Sequence, residues 1–228
     1  MTDIKSVLTK LKGELPSNVK LVAVSKFHPI EAVIEAYNCG QRAFGESRPQ
    51  ELKAKAEQMI SLGYDDLEWH FIGHLQTNKL KMVLPYASLV ESVDSVRLLE
   101  SIDNWCRLND MITDVLLEYH ISSDETKQGF DKEEILSVML GEKSYPNVRI
   151  RGLMGMATLT DNENVIREDF SRIVSLAGEL NEKKEQMHGR GDLFGLLSFG
   201  MSGDYKIAVD MGAGIVRIGT MIFGERQY

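Results

Sequence analysis

Three stretches of the sequence hold residue types that could do chemistry together: "VKLVAVSK", ending at Lys26, "SFGMSGD", from Ser198 to Asp204, and "VRIGT", from Val216 to Thr220. Lys26 follows the apolar residues Val19, Leu21, Val22, Ala23 and Val24, which read as a strand buried on both faces. A lysine at such an exit either snorkels to solvent along its aliphatic stem or, partly desolvated, gives up its proton and becomes a nucleophile toward carbonyl compounds. Gly200, Ser202, Gly203, Gly219 and Thr220 suit an anion, because glycine lets backbone N–H groups approach and small hydroxyls donate to its oxygens. Arg217 lies inside an apolar strand and cannot shed its charge, so it needs either an acid, with Glu118 or Glu46 as candidates, or a ligand. Taken singly, each feature has an ordinary explanation in a turn or a solvated side chain. Whether they meet depends on the elements that carry them.

The sequence of 228 residues has no Pro/Gly/Ser-rich linker and no repeat at solenoid spacing, so one domain spanning 1–228 is expected, opened by an amphipathic helix in "MTDIKSVLTKLKGEL". Strand-like runs follow at Leu21–Ser25, Gln41–Phe44, Glu68–Ile72, Leu89–Val93, Val115–His120, Arg149–Met154, Phe194–Phe199 and Ile215–Ile218. Helical patterns alternate with them at Pro29–Asn38, Arg48–Leu62, Gln76–Val83, Ser95–Asn109, Lys132–Leu140, Asn164–Lys184 and, shorter, near Asp204–Asp210. Eight strands alternating with helices in this way imply an α/β protein with parallel strands and right-handed crossovers, closed into a single (β/α)8 TIM-type barrel. An open doubly wound sheet is the runner-up, but its dinucleotide-binding form would show a glycine-rich first turn, and the first turn here is "SKFHP". In a barrel, chemistry sits at the C-terminal strand ends, and the loops after strands seven and eight commonly hold a phosphate. The three stretches fall on that face, while His70, Glu118 and Arg151 point from within strands.

A phosphate cup, an arginine midway and a lysine amine from the first strand together fit pyridoxal 5′-phosphate, with its aldehyde at Lys26, its ring nitrogen at Arg217 and its phosphate at the two loops. Beyond that chemistry, "AVSK", "FGE", "EWHFIGHLQTNK", "VDS", "KQGF", "RIRGLMGMA", "SFGMSGD" and "VRIGTMIFG" occur in an order that resembles the pyridoxal phosphate homeostasis proteins, the YggS/PROSC family, along nearly the whole chain. The resemblance implies a barrel similar to the N-terminal domain of alanine racemase, with the cofactor held as a Schiff base on Lys26. It further implies that Ser198, Met201, Ser202, Gly219 and Thr220 hold the phosphate, chiefly through backbone N–H groups and hydroxyls, and that Arg217 faces the ring nitrogen. Two positions depart from the family pattern: Ser47 replaces an asparagine in "FGES", and His74 stands where many relatives have proline.

The resemblance implies a carrier or buffer of the cofactor, without accepted catalytic activity. An arginine cannot protonate the ring nitrogen, which makes the ring a weaker electron sink than one paired with aspartate. A racemase also needs a second acid–base group opposite Lys26, which relatives of this fold take from an additional C-terminal domain, whereas this chain ends at Tyr228. A weak racemase or lyase is therefore the enzyme alternative. With 26 basic and 34 acidic residues and a net charge of −8, a nucleic-acid surface is disfavoured. No signal core or membrane-length apolar run appears, and Cys39 and Cys106 are far apart with no histidine at ligand spacing, so a cytoplasmic protein without a metal or membrane site is expected, as a monomer. Lysines in "ELKAKAEQM" and "LQTNKLKMV" either form a docking face for apo-enzymes that need the cofactor or simply solvate helix exteriors.

Overall fold

The computed structural model describes residues 3–124, 128–187 and 194–225. Met1 and Thr2 of the opening helix pattern, Lys127 of "KQGF" and Tyr228 lie outside the described residues. The strands are β1 (Lys20–Val24), β2 (Ala43–Glu46), β3 (Glu68–Phe71), β4 (Ala87–Val93), β5 (Thr113–Glu118), β6 (Val148–Met154), β7 (Leu196–Ser198) and β8 (Ile215–Ile218). The helices are α1 (Ile4–Glu14), α2 (Ile30–Asn38), α3 (Pro49–Ser61), α4 (Leu80–Val83), α5 (Val96–Leu108), α6 (Lys132–Leu140), α7 (Glu163–Glu182), α8 (Tyr205–Asp210) and α9 (Thr220–Phe223). Each strand pairs in parallel with the next, and β1 closes on β8 with Val22 opposite Arg217 and Ala23 opposite Ile218. The expected eight-stranded α/β barrel is the fold of the chain.

Local chemistry places the helix starts. Asp131 and Glu134 form a reciprocal capping box at α6, Ser95 accepts from the Leu98 N–H at α5, and Pro49 opens α3 where no backbone donor is needed. Strand β2 runs two residues later than its pattern suggested, because the Gln41 side-chain amide donates to the Leu21 and Ala43 carbonyls and anchors the strand entrance instead of joining it. The expected helix at Gln76–Val83 is a single 3-10 turn, Thr77–Lys79, running into the short α4. The final α9 had no counterpart in the sequence reading.

Alternation along each strand divides the side chains between two environments. Val22, Ala43, Leu89, Leu116, Met154 and Ile215 pack together inside the barrel, while Leu21, Ala23, Phe44, Trp69 and Val216 belong to the layer between barrel and helices. Two residues further along the interior positions come Val24, Gly45, Glu91 and Arg217. Lys26 lies two residues beyond Val24, past the end of β1 at the C-terminal mouth.

Candidate binding site at the barrel mouth

A cavity of about 270 Å³ opens at the C-terminal mouth, lined among others by Lys26, His28, Met156, Met201, Ser202, Arg217, Gly219 and Thr220. Six of the seven residues expected to form one site thus share one cavity. Lys26 is not the last residue of the strand, since β1 ends at Val24, but sits in the turn that follows. Ser198 is the seventh; it does not line the cavity and lies fully buried at the end of β7. Its hydroxyl donates to Glu91 Oε2 at 2.5 Å and accepts from Arg217 Nη1 at 2.5 Å, so it acts on the guanidinium and has no hydrogen left for an anion.

The loops after β7 and β8 have the donors a phosphate needs. Among the described residues, no protein acceptor takes the backbone N–H groups of Ser202, Gly203, Gly219 and Thr220 or the hydroxyls of Ser202 and Thr220. The Met201 N–H differs: it donates to Asp204 Oδ1 at 2.5 Å. Burial pushes the Asp204 carboxyl up, against the Met201 N–H and the Arg217 charge, which lower it. Glycine is required at Gly200, where φ is +96° and a Cβ would come within 2.4 Å of the Ala208 Cβ.

Arg217 is held from behind. Besides Ser198 it donates through Nη2 to the Gly155 carbonyl at 3.1 Å, and its Nη1 lies 3.5 Å from Glu91 Oε2. The acid opposite Arg217 is thus Glu91, not Glu118 or Glu46. Glu91 also accepts from the Nδ1–H of the buried His70 at 2.5 Å. Arg151, by contrast, pairs with Asp114 and takes no part in the cavity. A larger hollow, about 410 Å³, lies over the ends of β3 and β4 and is lined by His74, Asp94, Ser95 and Arg97 among others. Among the described residues that line it, none is a lysine. His74 there is exposed and bonded to Asp94 at 2.9 Å, in keeping with a solvated loop histidine.

Residues 2–227 match the family described as the N-terminal domain of alanine racemase. A pyridoxal phosphate homeostasis protein of Aquifex aeolicus is 38% identical over 209 residues, which cover 92% of this chain and 88% of that protein. This chain belongs to the pyridoxal phosphate homeostasis protein family. A solved structure similar to this chain is that of PipY from Synechococcus elongatus with PLP bound, at 34% identity and a TM-score of 0.87, covering 97% of this chain and all of that one. Alanine racemase from Bartonella henselae, at 14% identity and a TM-score of 0.69 over 98% of this chain and 58% of that one, shares the fold.

Two groups of residues in this barrel are not foreseen from the sequence. Glu91 was hidden in "LVESV", where its signal was a lone acid at an interior position of an otherwise apolar strand. Lys55 was assigned to a solvated or docking face of the second helix pattern, yet it is only 6% exposed and faces the barrel wall. Its Nζ donates to Glu46 Oε1 at 2.7 Å and to the Ser25 carbonyl at 2.8 Å, and lies 3.7 Å from Glu51 Oε1. Ser25 Oγ donates to the same Glu46 oxygen at 2.6 Å, while Glu46 Oε2 and Glu51 Oε2 are buried without a partner among the described residues. Ser47, the departure from the family asparagine, does not line the cavity; its carbonyl packs so closely on Gly73 that a Cβ there would lie 2.2 Å from it.

Among the described residues, no group of three or more His, Cys, Asp and Glu side chains could hold a metal ion, and no helix is long and apolar enough to cross a membrane. Cys39 and Cys106 are free, and burial pushes the Cys106 thiol up to about 11.

Proposed function

We propose that this chain binds pyridoxal 5′-phosphate at the barrel mouth and serves as a carrier or buffer of that cofactor in the cytoplasm, with apo-enzymes that require it as recipients. The observation that carries the reading is one cavity that brings the Lys26 amine, the Arg217 guanidinium and the unclaimed donors of Ser202, Gly203, Gly219 and Thr220 together. These residues fit the cofactor's three polar ends. Lys26 would hold the aldehyde carbon covalently, with water as the leaving group, and Arg217 would donate to the ring nitrogen. Ser202, Gly203, Gly219 and Thr220 would hold the phosphate with charge-assisted hydrogen bonds, each contributing about 1.5–3 kcal/mol. The bound cofactor supplies a reactive aldehyde and a conjugated ring; the chain supplies position and charge.

Borohydride reduction of the protein after incubation with pyridoxal 5′-phosphate, followed by peptide mapping, tests the attachment. The label is expected on Lys26; exclusive labelling of another lysine, such as Lys79, overturns the reading. Titration with pyridoxal, which lacks the phosphate, tests the cup: it should bind far more weakly, and Thr220→Val should weaken only the phosphorylated ligand.

A further inference from the structure

We infer that one face at the start of α3, formed by its N-cap Arg48 with Glu51 and Lys55, is a positioning device that fixes the backbone on both sides of Lys26. The inference rests on the reading of Lys26 as the attachment residue. The His28 N–H donates to the Ser25 carbonyl at 3.1 Å, closing a four-residue turn with Lys26 and Phe27 in its middle. Phe27 has φ +66°, in the left-handed region that side-chain-bearing residues avoid. A bulky residue stays in that region only when its surroundings over-determine it, and here they do.

Arg48, Glu51 and Lys55 recur at spacings of three and four, which places them on one face of the helix start. Glu51 Oε1 accepts from the Phe27 N–H at 3.0 Å, and the Arg48 guanidinium lies 4.3 Å from the centre of the Phe27 ring. Lys55 donates to the Ser25 carbonyl, and its partner Glu46 takes the Ser25 hydroxyl. The Ser25 N–H is claimed by the Gly45 carbonyl of β2 at 3.0 Å. The residue before Lys26 is thus pinned at its nitrogen, its hydroxyl and its carbonyl, and the residue after it at its nitrogen and its ring. Lys55 is a positioning residue and not a second nucleophile, because its ammonium is already shared between Ser25, Glu46 and Glu51.

Bond formation by an amine depends steeply on near-attack geometry, whereas phosphate binding at the opposite side of the cavity does not. Loosening the turn should therefore slow covalent capture and spare non-covalent binding. The test is stopped-flow absorbance on mixing the protein with pyridoxal 5′-phosphate, beside equilibrium binding of pyridoxine 5′-phosphate, which has the phosphate and ring but no aldehyde. Lys55→Met and Glu51→Leu should each slow capture by about tenfold or more while pyridoxine 5′-phosphate affinity stays within about twofold of wild type. Glu51→Gln retains an acceptor for the Phe27 N–H and should restore most of the rate. Glu51 is only half-buried, so its variants stay informative if Lys55→Met fails to fold. Wild-type capture rates in the folded variants, equal weakening of both ligands, or no rescue by Glu51→Gln would overturn the inference alone. Absence of any Lys26 linkage in the wild type would overturn the reading of Lys26 itself, and this inference with it.

Discussion

Inside the barrel Glu91 is surrounded by His70, Ser198 and Arg217; across the wall Glu46 is surrounded by Ser25, Lys55 and α3. Both carboxylates are fully buried, yet their ionisation is pushed in opposite directions. Burial alone would raise Glu91, but the His70 N–H, the Arg217 guanidinium and the Ser198 hydroxyl outweigh it and hold the carboxyl below its ordinary range. Burial also raises Glu46, and there Lys55 and Ser25 offset it only in part, with one oxygen left bare and Glu51 adding repulsion. The difference follows from what each cluster must hold. The interior cluster fixes a permanently charged side chain that faces the cavity, so both of its acid's oxygens are committed. The outer cluster fixes a backbone turn, for which one oxygen and one ammonium suffice.

The largest test of this contrast is Glu91→Leu, which strands a guanidinium in the barrel and should cost about 3–5 kcal/mol in urea unfolding. Adding Arg217→Met should recover most of that loss, and a double variant as unstable as the single one would break the pairing. Lys55→Met should cost less, about 1–3 kcal/mol, because Glu46 can meet the loss of its cation by taking up a proton. A cost equal to that of Glu91→Leu would erase the contrast.

Acid titration sharpens it further. Glu91 is depressed in the folded state, so its stabilisation is present above about 4.5 and lost as pH falls; the gap between wild type and Glu91→Gln should narrow on acidification. Glu46 is raised, so its favourable contribution is present below about 4.5 and lost as pH climbs through the folded value. Relative to wild type, Glu46→Gln should therefore gain stability with rising pH, and parallel profiles for the two glutamine variants would contradict the assignment. The smallest effect is expected from Arg48→Ala, about 0.5–1 kcal/mol, since it removes an exposed cation from the Phe27 ring while leaving the Glu51 bond in place.

The barrel was legible in the sequence because eight apolar runs alternate with helical patterns and a closed parallel sheet needs little else. The elements that shifted are those whose ends are set by a single side chain, as Gln41 sets the start of β2. Lys26, Arg217 and the two glycine-containing loops were legible because their residue types are out of place where they occur. Glu91 was not, since one acid in a strand looks the same whether it meets solvent or an arginine from a strand four places later. Lys55 was misplaced for a related reason: a lysine on a charged helix reads as solvated, and only the pairing of "FGE" with α3 in space shows that it points inward. Ser198 was placed by resemblance among anion ligands, while the structure gives its hydroxyl to the two charged groups beneath.

The closure of β1 on β8 places the cavity on a seam between the first and last strands of the chain. Lys26 lies just past one side of that seam, and Arg217, Gly219 and Thr220 lie on the other, separated by almost the entire polypeptide. Such a pairing has a high sequence separation and comes with the entropy cost of a very long loop. During synthesis Lys26 emerges long before Arg217, and it acquires Arg217, Gly219 and Thr220 for neighbours only after β8 has docked on β1. A ligand that needs both sides of the seam would then act as a clasp, stabilising the closed ring over any partly assembled one in proportion to its occupancy.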